Sequence, residues 1–285
     1  MTVQNIWHGL VIWYLFLAGT GAGVYLLAVG NKMFRKQDAL VKMGYIWGPI
    51  LVALGTILLL LDLGRPFWAF LAVLRPHASM ISVGTLILTF FMLNGFFQIY
   101  SLLFKKKEPP HALDIIGFIL AIGTATYTGL LLGVVEAIPF WNKPILLPIL
   151  FLVSALSSGI GFLLLVSILN KNSKEETKSN LHRMMKFDIW LILIELALLI
   201  LLLWLSARGN PAAAASVQIL TSGFFALPFW GLLIVTGLLL PLVLETLVRS
   251  HKQSILALCS IALLIGGVTL RYSIVVAGVW LPMSK

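Results

Sequence analysis

Residues 187–207 read FDIWLILIELALLILLLWLSA, an unbroken run of 21 residues that carries two acids and no base. A helix crossing a bilayer needs about 20 mostly apolar residues, because each advances ~1.5 Å through a hydrocarbon core ~30 Å thick. The run has that length and is apolar on every face, so it reads as a membrane span. Seven more segments of the same kind flank it, at roughly 9–30, 43–62, 79–103, 114–138, 145–169, 222–248 and 254–279. The whole chain has 285 residues, 60% hydrophobic and 11% charged, with a mean hydropathy of +1.03. A soluble domain carries roughly a quarter charged residues, and so few charges cannot cover a water-facing surface of this size. Lipid covers it.

The charges say which way the chain is threaded. Lys32, Arg35, Lys36 and Lys42 follow the first span, and Lys105, Lys106 and Lys107 follow the third. Lys171, Lys174, Lys178, Arg183 and Lys186 follow the fifth, and Arg249 and Lys252 follow the seventh. That face holds 14 basic residues; the other holds Arg65, Arg75, Lys143, Arg208 and Lys285, with Arg271 inside a span. The positive-inside rule makes the richer face cytoplasmic and places both termini outside a multi-pass inner (cytoplasmic) membrane protein. The net charge of +10 is thereby read as topology, and no nucleic-acid partner is expected. Met1 to His8 lacks a positive charge and no A-x-A-like cleavage site follows, so the first span is expected to stay in the mature protein.

Motifs recur at long range. Trp47 stands 18 residues before Arg65-Pro66, and Trp190 stands 18 before Arg208, with Pro211 close behind. Thr20-Gly21-Ala22-Gly23 recurs as Ser158-Gly159-Ile160-Gly161, and Tyr127 as Tyr272. Offsets of 138, 143 and 145 separate the copies, with four spans between them. Both copies therefore run the same way through the membrane. The expected architecture is all-α: eight transmembrane helices as two parallel-repeat four-helix bundles, 1–143 and 144–285.

Polar groups in lipid are costly and are paired or functional. Asp62 ends the second span directly before Gly64-Arg65-Pro66, and Glu136 is expected near the outer end of the fourth, two and a half turns beyond Tyr127. Arg271 stands eight residues from the outer end of the last span, where Glu136 or Glu195 are its candidate partners. Asp188, Glu195 and Glu245 mark the second half of the chain as a candidate proton route. Small residues Gly19 to Gly23 let the first span approach its neighbours closely. Trp13 and Tyr14 above them suit either an interfacial anchor or a ring-shaped apolar ligand. A single cysteine, Cys259, excludes a disulfide framework, and an iron–sulfur cluster or structural zinc held by this chain alone. His8, His77, His111, His182 and His251 all fall in loops or at helix ends, so no pair is set for bis-histidine haem. No catalytic metal centre is expected here, and electrons handled by this protein need an organic carrier.

At this point the residues resemble a known family. Trp13-Tyr14-Leu15-Phe16-Leu17-Ala18-Gly19-Thr20-Gly21-Ala22-Gly23, Asp62-Leu63-Gly64-Arg65-Pro66 and Ser79-Met80-Ile81-Ser82-Val83-Gly84-Thr85 follow one another in order. Tyr127-Thr128-Gly129, Pro139-Phe140-Trp141-Asn142 and Leu270-Arg271 complete the set. The chain resembles the NrfD/PsrC family, membrane subunits of polysulfide, nitrite, tetrathionate and related molybdopterin oxidoreductases. The resemblance implies a quinone site in the first bundle near the outer face, with menaquinone as the family's habit. Tyr127 takes the place of the family's quinone-contacting tyrosine. Where the polysulfide reductase type has histidine and asparagine in the first span, this sequence has Tyr14 and Val11. The implied partners are a ferredoxin-like four-cluster iron–sulfur subunit, met by the outer loops around Arg65, and a molybdopterin catalytic subunit.

The expected function is that of a membrane anchor and quinone/quinol-binding subunit of a respiratory oxidoreductase. Tyr127 and Tyr14 would meet the ring, with Asp62 or Glu136, beside Arg65 or Arg271, taking a proton outward. The competing reading is a secondary transporter built from parallel four-helix repeats. Against it, the sequence shows no Gly/Pro break in mid-span, Pro228 and Pro241 in the seventh coming nearest.

Overall fold

The computed structural model describes residues 2–5, 7, 9–35, 40–62, 80–170, 175–247 and 253–281. Its first five helices are α1 (Gly9–Arg35), α2 (Val41–Asp62), α3 (Met80–Leu103), α4 (His111–Gly133) and α5 (Leu146–Leu169). There follow α6 (Glu175–Ala207), a short α7 (Pro211–Thr221), the π-helical α8 (Pro228–Leu239), α9 (Leu240–Leu247) and α10 (Gln253–Val276). Among the described residues, 8 stretches are long and apolar enough to cross a membrane, α8 and α9 together forming the seventh.

Several boundaries differ from the sequence reading: α1 runs on to Arg35 and α6 begins at Glu175, and two further differences have a visible cause. The fourth span ends at Gly133, because the polypeptide doubles back and lays the backbone of Lys143 and Pro144 against that glycine. Residues 138–141 are buried in the resulting turn, where Trp141 Nε1 donates to the Ile274 carbonyl at 2.7 Å. The seventh span starts at Pro228 instead of 222, because residues 211–221 form a helix of their own. Asn210 caps that helix by accepting from the Ala213 N–H at 2.9 Å, and Pro211 occupies the first turn, where its missing N–H costs nothing. The seventh span is also irregular. The Leu240 N–H and the Thr236 hydroxyl both reach carbonyls five residues back, at Val235 and Gly231. Pro241 has no N–H, and its ring crowds the carbonyl four residues earlier, which favours the wider register before it.

Helix α1 is the hub. It packs against α2, α4, α5 and α10, while α5 packs against α1, α4, α6 and α10. In lipid there is no hydrophobic drive between helices, so close backbone approach must hold them together. Gly23 and Gly159 provide it: a Cβ on Gly159 would stand 2.7 Å from the Gly23 carbonyl carbon. One turn away, Thr20 Oγ1 donates to Ser158 Oγ at 3.1 Å, and Ser158 donates to the Ser154 carbonyl at 2.7 Å. The two ends of the polypeptide meet on one face. Val3 bridges Val279, Gln4 N–H donates to the Gly278 carbonyl at 2.8 Å, and Leu281 N–H donates to the Ala137 carbonyl at 3.0 Å.

Candidate functional site

On the terminus face of the first four helices, Tyr14 of α1 and Tyr127 of α4 are both buried and close enough to interact electrostatically. Helix α2 packs Gly55 against the α1 backbone there, where a Cβ would stand 3.2 Å from the Tyr14 carbonyl. Helix α3 comes so close at Gly84 that a Cβ there would overlap the Tyr127 ring. Gly129, two residues beyond Tyr127, does the same for α4 against the start of α5 at Leu147 and Pro148. The Tyr14 hydroxyl finds no hydrogen-bond partner among the described residues. A buried phenol without a partner is expensive, and it is an open donor and acceptor for a ligand oxygen.

The other expected members divide. Asp62 is the last residue of α2 and is half-buried. Arg65 lies outside the described residues. Glu136 is exposed in the turn after α4, so the expectation that it lies within the fourth span near its outer end is corrected. The cause is the early end of α4 at Gly133.

Arg271 is fully buried in the seam between α1, α5 and α10, and its contacts are to those three helices. Its Nε donates to the Leu15 carbonyl at 3.1 Å, and Nη1 donates to Ser154 Oγ at 3.1 Å and to the Gly267 carbonyl at 2.7 Å. Its guanidinium lies 5.3 Å from the centre of the Phe151 ring and 5.9 Å from that of Phe16. Of its two expected partners the structure brings Glu195 near enough to interact electrostatically. Deeper in the second group, buried Asp188 stands beside Ser157 of α5 and Glu245 of α9. Cys259 Sγ donates to Glu245 Oε1 at 3.4 Å.

Sequence reading missed a polar network at the opposite, basic face. Asp114 of α4 is buried and pairs with Lys32 Nζ at 3.3 Å. The Tyr45 hydroxyl and the Gln98 amide both donate to Asp114, at 2.5 and 3.2 Å. Tyr25 donates to Gln98 Oε1 at 2.9 Å, and Asn94 reaches the Tyr25 hydroxyl at 3.4 Å. Asn94 and Gln98, four residues apart on one face of α3, were the available signal. Among the described residues, no group of three His, Cys, Asp or Glu side chains is placed to hold a metal ion. A cavity of about 660 Å³ opens on the far side of α1, lined by Trp7, Trp13, Phe225 and Tyr272 and not by Tyr14 or Tyr127.

This arrangement has relatives. The family profile described as "Polysulphide reductase, NrfD" matches residues 1–282. The chain belongs to the NrfD family. It is 32% identical to one of the polysulfide reductase chains of Wolinella succinogenes, over 96% of its own length and 94% of that protein. It is 30% identical to protein NrfD of Escherichia coli, over 96% of its own length and 95% of that protein. It is 25% identical to one of the selenate reductase subunits of Mesobacillus selenatarsenatis, over 97% of its own length and 74% of that protein. Two of these NrfD relatives bear the names of reductase components, and the membrane spans found here suit such a role.

Proposed function

We propose that the protein is the membrane anchor and quinone/quinol-binding subunit of a respiratory oxidoreductase in the inner membrane. The observation that carries this reading is the buried Tyr14–Tyr127 pair, with an unpartnered Tyr14 hydroxyl, on the face where both termini meet. Menaquinone is the preferred ligand on family grounds, and when bound it supplies chemistry of two electrons and two protons. The protein's own residues do the rest. Tyr127 and Tyr14 hold the ring oxygens, α2 and α3 exclude water from them, and Asp62 at the rim takes a proton toward the surface. Both termini lie outside, where the outer loops meet a ferredoxin-like four-cluster iron–sulfur subunit. That partner passes electrons to or from a molybdopterin catalytic subunit, of the kind that the names polysulfide reductase and selenate reductase imply. The two groups of helices form a parallel repeat, a reading supported by the Thr20–Ser158 contact between matched positions. Asp188, Glu195 and Glu245 form a proton route through the second bundle.

Replacing Tyr127 with Phe tests the site. The variant is expected to lose most quinol-linked turnover while the complex stays assembled on native gels. Unchanged turnover would remove Tyr127 from the site.

A further inference from the structure

The cavity of about 660 Å³ on the far side of α1 takes no part in the tyrosine pair, and its shape follows from how α8 and α10 meet. The two helices touch backbone to backbone at one level, where a Cβ on Gly266 would stand 2.7 Å from the Gly237 Cα. Tyr272 lies six residues beyond Gly266, about 9 Å toward the terminus face, and Leu232 lies five residues from Gly237 in the same direction. Both line the cavity, so the helices part above their crossing and the gap is left unfilled. Helix α8 is π-helical along this stretch, a register frequent at functional sites. The N-terminal segment lies over the outer end. Val3, Gln4 and Trp7 line the cavity there, and Gln4 Nε2 donates to the Val275 carbonyl at 3.3 Å and to the Trp7 carbonyl at 3.1 Å. Trp13 and Leu232 are each 48% exposed, and in a span that exposure faces lipid. The cavity therefore opens sideways, to the bilayer.

Its chemistry narrows the occupant. Among the described residues, none that lines it carries a charge, so a phosphate or carboxylate headgroup would find no counter-charge there. Trp7, Trp13 and Phe225 give flat apolar walls, and the Tyr272 ring stands edge-on to Phe225 at 6.0 Å. The Tyr272 hydroxyl forms no hydrogen bond among the described residues, which leaves one donor and acceptor for a ligand oxygen. In the sequence this tyrosine is the one that matches Tyr127, at the offset of 145. Ordinary ligand sites enclose about 300–1,000 Å³ and combine apolar, aromatic walls with a few polar groups, as this cavity does. We infer that it is a second site for a neutral, ring-headed isoprenoid of the quinone class, entered from the bilayer between α1 and α8, with Tyr272 hydrogen-bonded to a ring oxygen. The choice of a quinone rests on the function proposed above. The two sites are separate: Trp13 and Tyr14 are successive on α1 and point about 100° apart, and only Trp13 lines the cavity.

The test counts sites by calorimetric titration of the full-length protein in detergent with a short-tailed naphthoquinone. The native protein is expected to take up two equivalents, and Tyr127→Phe to weaken only one of them. Tyr272→Phe should weaken the other about 5-fold, as the loss of one hydrogen bond does. Leu232→Trp, which fills the cavity from its lipid side, should abolish it. In both variants the equivalent that depends on Tyr127 should persist, which shows that they fold. An unchanged second equivalent in Tyr272→Phe overturns the inference. A single equivalent that Tyr127→Phe weakens and Leu232→Trp spares overturns the second site and leaves the tyrosine pair standing. A single equivalent with the opposite response overturns the tyrosine pair and leaves the cavity site standing. If excess phosphatidylglycerol displaces the equivalent that Leu232→Trp removes, the occupant is a phospholipid and the inference fails. No binding at all overturns both sites.

Discussion

The seam between α1 and α5 makes a sharp demand on Gly159. A methyl group there would stand 2.7 Å from the Gly23 carbonyl carbon and 2.8 Å from the Val24 nitrogen, whereas ordinary contact begins at 3.4 Å. Both obstacles are backbone, with no flexible group to swing away, so the helices must part by several tenths of an ångström. Overpacking of this kind costs about 1–3 kcal/mol. Parting the helices also stretches the Thr20–Ser158 hydrogen bond, already 3.1 Å, whose like in membrane helices is worth about 0.6 kcal/mol. The combined cost for Gly159→Ala is about 2–4 kcal/mol, set against the helix-forming gain of about 1 kcal/mol that alanine brings over glycine. A net loss of about 1–3 kcal/mol is expected. The control is Gly231→Ala, where nothing lies within 4 Å of the new methyl. Thermal or denaturant unfolding in one detergent, followed by tryptophan fluorescence, compares the two. If Gly159→Ala is as stable as Gly231→Ala, the seam is not packed backbone on backbone, and the account of what joins the two helix groups fails.

Two more outcomes follow from other contacts. Gly84→Ala puts a methyl into the space of the Tyr127 ring, so it should mimic Tyr127→Phe, lowering quinol-linked turnover about ten-fold or more while α3 and α4 stay folded by circular dichroism; ten-fold corresponds to ~1.4 kcal/mol. Asp114→Ala removes the buried acceptor of the Tyr45 hydroxyl and the buried partner of Lys32, and breaking a buried pair costs about 3–5 kcal/mol. The exposed Glu108, 3.6 Å from the same lysine, should cost less than about 1 kcal/mol when replaced. Melting temperatures of the two variants settle the comparison.

The spans are legible in the sequence because lipid asks only for length and apolarity, and 187–207 meets both without any partner. Depth along a span is legible too, at 1.5 Å per residue. Rotation about the helix axis is not. A helix that is apolar on every face gives no sign of which side meets which neighbour. The depth of Arg271 can therefore be read, and Glu195 named as a candidate partner, whereas the turn of its side chain to α1 and α5 cannot. The Asp114 network escapes for a related reason: Lys32, Tyr45, Gln98 and Asp114 come from four different helices, and no single stretch shows a cluster. Glu136 is misplaced by a boundary, because the turn that ends α4 is fixed by contacts to Pro144 and Ile274, which no local pattern announces.

That rotation is where the protein concentrates its function, and α1 shows how. Successive residues of an α-helix point about 100° apart. Trp13, Tyr14 and Leu15 therefore look in three directions from one turn. The Trp13 ring lines the cavity shared with Tyr272, the Tyr14 phenol is buried with its hydroxyl unpartnered, and the Leu15 carbonyl accepts from Arg271. A helix in these three environments cannot turn or slide without being felt in all of them, and it is held between α2 and α5 at Gly21 and Gly23, where backbones touch. Such contacts have no slack for small adjustments, so a shift in one must appear as a displacement of the whole helix. A rigid, central α1 thus ties these three environments to one another, and loosening it at Gly23 or Gly159 should disturb all three together.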